Sequence, residues 1–271
     1  ASALIGTVIA DGSGNWSFDY TGTILSEGVQ SFTAEAIDGL GNRSASGSVS
    51  VTIDLTAPAS PVVASISSDT GASATDELTS DTTLEIAGTA EANATVEVFI
   101  DGASIGTTAA DGSGNWSYDH TGTSLAEGSY TVTAQATDAA GNTGAVSTGL
   151  GVTVDTTNPT QSIAGNTVAE DIAPGTVVGT ITASDANGVD TLALTDDAGG
   201  LFTLNGNDIE LASGQSLDYE SNTSHSVEVT VTDTAGNQSV QNHTITVTDI
   251  DEVAPAAPVV ASISSDTGAL A

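Results

Sequence analysis

Carboxylates are the abundant reactive group in this sequence. The 271 residues carry 35 acidic side chains against one basic residue, Arg43, for a formal net charge of −34. Paired carboxylates can hydrolyse glycosides when a cleft drives their pKa values apart, but aromatic residues make up only 4% of the chain, too few to line a sugar cleft. Cysteine is absent, and His120, His225 and His243 share no spacing that would pair a nucleophile with a base. The glycine-rich stretches lack the lysine and the strand-to-helix setting of a phosphate loop. No catalytic residue is expected. What remains is coordination of a hard cation by oxygen. Clustered carboxylates repel one another until a counter-charge arrives. Ca²⁺ takes six to eight oxygen ligands in flexible geometry, Mg²⁺ is stricter, and the lack of Cys and scarcity of His disfavour zinc and copper.

The spacing of the acids says where such ions would sit. Three alternating strands end in an acidic stop and then a proline: Val51-Thr52-Ile53-Asp54 before Pro58, Val152-Thr153-Val154-Asp155 before Pro159, and Val247-Thr248-Asp249 before Pro255. Proline fixes φ and removes a ladder donor, so each signal marks a boundary with a linker of only a few residues. Strand alternation between these boundaries predicts that Asp69, Asp76 and Asp81 share one end of a module with Asp155. The loops at Asp111 and Asp138 are expected at the other end, beside Asp54. Metal binding is expected at these junctions. Asp and Asn also form turns by bonding their own backbone, so each residue taken singly has both readings.

The elements that must position these side chains are strands. Thr95–Ile100, Tyr130–Ala136 and His225–Val231 alternate with period two, and Asp101-Gly102 between Phe99 and Ile105 is a hairpin signal. Short strands with frequent turn signals predict an all-β chain of tandem Greek-key β-sandwich modules set end to end. Repetition sets the modules out. Asp11-Gly12-Ser13-Gly14-Asn15-Trp16-Ser17 recurs as Asp111–Ser117, and Pro61–Gly71 recurs as Pro258–Gly268. The expected organisation is the later part of a module in 1–55, a complete module in 56–156, a second in 157–252 and the opening of another in 253–271. Both ends read as cuts in a longer chain.

Charge also excludes partners. Nucleic acid and anionic membrane are polyanions that recruit Lys and Arg, and neither suits a net charge of −34. No apolar run is long enough to span a bilayer. Hydrophobic residues at 38%, arranged in alternation, argue against disorder. Lack of Cys suits an oxidising exterior without reliance on bridges.

Residues 56–156 resemble the bacterial Ig-like repeats of giant RTX-type, type I-secreted adhesins. The resemblance rests on Ala57-Pro58, Asp69-Thr70-Gly71, Ile86-Ala87-Gly88-Thr89-Ala90, Gly114-Asn115-Trp116, Glu127-Gly128, Thr137–Asn142 and Val154-Asp155. Residues 1–55 are similar to the second half of that module. Residues 157–252 resemble a cadherin-type domain through Ala169-Glu170-Asp171, Ala183-Ser184-Asp185-Ala186-Asn187, Leu217-Asp218-Tyr219-Glu220, Val231-Thr232-Asp233 and Asp249-Ile250-Asp251-Glu252. That resemblance implies that Glu170, Asp218 and Glu220 face the following linker with Asp249 and Asp251. It also implies that Asp185, Asn187 and Asp233 face the preceding one near Asp155 and Asn158. Asn187 stands where the family has an aspartate, and the second linker lacks the family's Asn-Asp-Asn, which makes the C-terminal set the fuller one.

The implied function is a Ca²⁺-stiffened extender of a large bacterial cell-surface adhesin, extracellular, acting in cell adhesion and biofilm formation. Its partners would be neighbouring modules, other copies of the protein, or a surface receptor or glycan. The alternatives are a module that itself binds a glycan or a second copy, or a matrix fibre built by lateral packing or strand exchange. Trp16 and Trp116, at equivalent places in the repeat, are expected as core anchors, and Arg43 as a partner of nearby carboxylates.

Overall fold

The computed structural model describes residues 3–251. The expected opening of a further module in 253–271 lies outside the described residues. Contacts divide the chain into two compact units. One takes in residues up to Ile66 with Glu85–His120 and Thr131–Gly151; the other takes in Ser67–Leu84, Thr121–Tyr130 and the chain from Val152.

The structure is all-β, with no helix among the described residues. The first strands are β1 (Gly28–Ala34) and β2 (Gly47–Ile53), followed by β3 (Val62–Ile66), β4 (Leu78–Thr79), β5 (Glu85–Thr89), β6 (Thr95–Ile100), β7 (Ala103–Ala109), β8 (Asn115–Asp119), β9 (Gly128–Thr137) and β10 (Leu150–Val154). The remainder are β11 (Thr160–Ala164), β12 (Thr167–Ala169), β13 (Val177–Ser184), β14 (Val189–Asp196), β15 (Phe202–Asn205), β16 (Asp208–Leu211), β17 (Ser224–Asp233) and β18 (Gln238–Thr248).

Strands β1 and β2 form an antiparallel pair. Beyond them the sheets run in the orders β3-β5-β8 and β4-β10-β9-β6-β7, then β11-β13-β16-β15 and β12-β18-β17-β14. Non-consecutive neighbours are the mark of Greek-key sandwiches. The β6–β7 hairpin turns at Asp101-Gly102, where both residues hold positive φ, as a two-residue turn matched to strand twist requires.

Alternation decides which face is buried. In β6 and β9 the buried positions are Val96, Val98, Ile100, Val132, Ala134 and Ala136. These small β-branched and Ala side chains leave room for one large ring. Trp116 on β8 is 4% exposed and lies over Gly88 of β5, where a Cβ would come within 2.6 Å of its Cζ2. Trp16, the equivalent residue in the repeat, is 56% exposed. Among the described residues before Leu55 there are no counterparts of β3 and β5 to cover it. The expectation of a core anchor is met at Trp116, while Trp16 is exposed among the described residues.

The module that follows is packed around Val178, Ile181, Ile209, Leu211, Val227, Val229, Val231, Ile245 and Val247. Its long central strands have fixed register, with nine partners running from Ser224↔Thr246 to Thr232↔Gln238. A single-residue slip would turn every one of these valines to solvent. The ten residues of β17 separate Glu220, just before it, from Asp233, its last residue. At 3.2–3.4 Å per residue, that is about 30 Å. The central strands thus deliver acidic residues to opposite ends of the module.

Candidate metal centres

Among the described residues, two groups of carboxylates bring oxygens within 4.8 Å of one another: Asp155, Asp185 and Asp233 at one end of the second module, and Glu170, Glu220 and Asp249 at the other.

The first group is built where β10, β13 and β17 end. Asp155 is 1% exposed, Asp233 is fully buried and Asp185 half-buried. Asp155 Oδ1 accepts from Thr157 N (3.0 Å) and its Oδ2 from Asn187 Nδ2 (2.8 Å). Asn187 N donates in turn to Asp185 Oδ1 (2.8 Å). Asp233 closes its own turn, accepting from Asn237 N (2.9 Å) and Asn237 Nδ2 (3.0 Å). Amide donors lessen the cost of burying these charges without cancelling it, because each amide is neutral.

The second group sits after β12, before β17 and after β18, lining a cavity of about 490 Å³ that Asp218 and Asp251 also reach. Glu170 is 4% exposed and ties the site together. Its Oε1 accepts from Ile250 N (2.7 Å), fixing the outgoing linker, and its Oε2 from Tyr219 N (2.8 Å), fixing the turn of Asp218 and Glu220. Asp218 is held by Ser221 N (3.1 Å) and Ser221 Oγ (2.7 Å). A hydrogen bond to its own backbone pulls the Glu220 carboxyl down. Desolvation and the charges of Glu170, Asp249 and Asp218 outweigh it, leaving Glu220 above the ordinary glutamate value.

The fit to a hard divalent cation is close. Every donor is an oxygen, the carboxylates are crowded against one another, and the chain's single Arg43 is engaged with Glu35 at 2.8 Å. A bound Ca²⁺ would be held by Glu170, Glu220 and Asp249, with Asp218 and Asp251 on the same cavity. At the other end Asp155, Asp185 and Asp233 would hold it, with the Asn187 amide beside them. The ion would supply charge neutralisation and a cross-link between segments distant in sequence.

Other expected ligands fall outside these groups. Asp111 and Asp138 open turns of the form Asp-x-x-Gly-Asn, which recur at Asp11, Asp38 and Asp233. Asp111 Oδ1 accepts from Ser113 N and Asn115 N, and Asp138 Oδ1 from Ala140 N and Asn142 N. The Asp111 turn meets Ala90 and Asn93 through backbone bonds, whereas the Asp138 turn reaches the linker, with Asn142 Nδ2 donating to Asp54 O (3.1 Å). Asp69 Oδ2 accepts from Asp76 N and Glu77 N, while its Oδ1 is enclosed without a donor among the described residues. Asp76 Oδ1 and Asp81 Oδ1 accept from Leu78 N and Thr83 N, and Asn158 is exposed.

The sequence by itself presents Asn237 and Asn142 only as turn formers, whereas both reach a linker carbonyl. Asn237 Nδ2 donates to Asp155 O (2.9 Å), as Asn142 does to Asp54 O. The signal was the recurring Asn that ends each Asp-x-x-Gly-Asn turn.

These turns have a pH signature. Backbone and side-chain donors from Asn115 and Ser113 hold Asp111 below its ordinary 3.8, and the Asn142 amide does so first at Asp138. Asp11 and Asp38 are lowered in the same way. A depressed folded pKa contributes stability above 3.8 that fades as pH falls through the lower folded value. A carboxyl NMR titration in chelator is expected to place these four below an ordinary aspartate and Glu220 above an ordinary glutamate. Ordinary values throughout would show that the turn bonds do not persist in solution.

A bacterial Ig-like domain family matches residues 56–156, and the cadherin domain family matches residues 166–265. None of the curated proteins matches the chain. Solved structures that match this chain include fibronectin(III)-like modules of Clostridium thermocellum CbhA (17% identity, 68% of this chain and 93% of that one, TM-score 0.33). Others are Protocadherin Gamma B7 extracellular cadherin domains (18%, 83% and 59%, 0.35) and mouse Cadherin-23 (21%, 65% and 63%, 0.31). The chain thus spans less than two thirds of those two cadherin chains.

Proposed function

We propose that this chain is a Ca²⁺-stiffened extender region of a large bacterial cell-surface adhesin of the RTX type, serving cell adhesion and biofilm formation. A bacterial Ig-like domain followed by a cadherin domain fits an extracellular extender or adhesion module. Cadherin domains typically bind Ca²⁺, and this chain gathers the acidic groups for it. Domains of these two kinds are typically structural rather than enzymatic, and we assign no catalysis.

The observation that carries the proposal is the paired arrangement of carboxylates at both ends of one module, with a single basic residue in the whole chain. The proposed modules are 1–55, 56–156, 157–252 and 253–271. Repetition of like units supplies length rather than a unique site. The cation joins each module's acidic end to a linker, so that a string of modules resists bending.

Isothermal titration of the full chain with Ca²⁺ is the test. We expect saturable binding with Kd in or below the roughly 10⁻⁴–10⁻³ M range of extracellular modules, with Mg²⁺ weaker. Glu220→Gln should remove one class of site, since it takes an oxygen and a charge from the C-terminal group. No heat in millimolar Ca²⁺, together with an unchanged melting temperature, would sink the calcium reading.

A further inference from the structure

The joint ahead of the second module contains contacts that need no ion. The loop Thr70–Ala72 of the preceding module lies against the turn Asp233–Asn237, and both belong to the same compact unit. Ala72 N donates to Thr234 O (3.1 Å) and Thr70 Oγ1 to Ala235 O (2.8 Å). Gly71 and Gly236 touch backbone to backbone. Both hold positive φ, a Cβ on Gly71 would overlap the Thr234 carbonyl oxygen, and one on Gly236 would lie 3.3 Å from Gly71 Cα. On the same turn, Asn237 spends its two amide hydrogens on Asp233 Oδ2 and on the carbonyl of the linker residue Asp155. Three hydrogen bonds and a glycine-on-glycine contact therefore hold loop, turn and linker together.

We propose that the Asp-x-x-Gly-Asn turn is a docking face for the Thr-Gly-Ala loop of the module before it, and that this latch closes the joint before any cation binds. The recognising chemistry is backbone carbonyl and amide, so the partner is defined by shape: a module presenting a glycine in left-handed conformation between a threonine and an alanine. The parts recur in the sequence. Thr267-Gly268-Ala269 repeats the loop, and Asp138–Asn142 repeats the turn, its Asn142 bonding the Asp54 carbonyl as Asn237 bonds that of Asp155. The latch therefore serves any pair of modules carrying these two elements, and it differs in kind from the acidic groups, since no carboxylate belongs to the loop-to-turn contact.

The chain has no cysteine, so spin labels can be placed at will. Ser129→Cys and Thr203→Cys put one label on an exposed strand position of each module, both within the same compact unit. Inter-label distances are measured on the full chain in excess chelator and again in Ca²⁺. A narrow distribution in chelator is expected, lost in Gly71→Ala and in Gly236→Ala, which press on the contact from opposite sides. Gly141→Ala, at the matching turn position with positive φ and open space around it, should leave the distribution narrow. A broad distribution in chelator that narrows only with Ca²⁺ would overturn the latch while leaving the calcium proposal standing. A narrow distribution that survives both glycine variants would also overturn it, because the linker alone would then hold the joint.

Discussion

Glu170→Ala is expected to abolish the Ca²⁺-dependent rise in melting temperature of the second module and to cost several kcal/mol when Ca²⁺ is present. Two effects add. Ligand linkage contributes about 2.7 kcal/mol at a free Ca²⁺ roughly 100-fold above Kd, and a variant that cannot bind forfeits it. The carboxylate also holds Tyr219 N and Ile250 N, charge-assisted bonds worth about 1.5–3 kcal/mol each before the backbone relaxes to water. In chelator the loss should be smaller, because removing Glu170 relieves its repulsion with Glu220. Glu220→Gln makes the sharper companion. It is expected to stabilise the module in chelator, where it removes a crowded charge, and to destabilise it in Ca²⁺, where it removes a ligand. Differential scanning fluorimetry with and without Ca²⁺ reads both. Parallel Ca²⁺ responses in wild type and Glu170→Ala would show that this group is not where the ion acts.

Trp116→Ala is expected to cost about 3–5 kcal/mol, the range for deleting a buried aromatic and leaving a cavity. Trp16→Ala should cost less than about 1 kcal/mol, as for a surface change. The two residues share a motif, Gly-Asn-Trp-Ser, and differ in what covers them: Trp116 has Gly88 of β5 beneath its ring, and Trp16 is 56% exposed. Trp116→Phe should cost less than the alanine variant. The indole Nε1 is buried without a partner, so replacing it relieves an unsatisfied donor while keeping most of the ring. Chemical denaturation of the three variants separates these cases, and equal losses at both tryptophans would show that the repeat's first copy is packed in solution as the second is.

How much of this was legible in the sequence varies by level. The strands were, because burial on one face imposes an alternation that a one-dimensional string displays; Thr95–Ile100 and His225–Val231 read as strands from pattern alone. The Asp101-Gly102 turn was legible for the same reason, since its backbone angles favour particular residues. The acidic stops at Asp54, Asp155 and Asp249 were legible as strand ends, each directly following β2, β10 or β18. The grouping of carboxylates was legible only in part. Resemblance to the cadherin pattern pointed to Glu170, Glu220 and Asp249 as neighbours. The turns at Asp111 and Asp138 carry the same residue types but spend their oxygens on local amides, and Asn142 and Asn237 passed as ordinary turn formers.

Taken alone, then, the sequence determined the class of fold, the period of its repeats and the excess negative charge. These are sums or local patterns, and both survive being read along one dimension. The tertiary structure decided which acids converge, which tryptophan is covered, and that Gly71 meets Gly236 across a joint more than 160 residues apart in the chain. Those outcomes depend on strand register and on the crossing of Greek-key connections, which bring together residues that no local pattern relates.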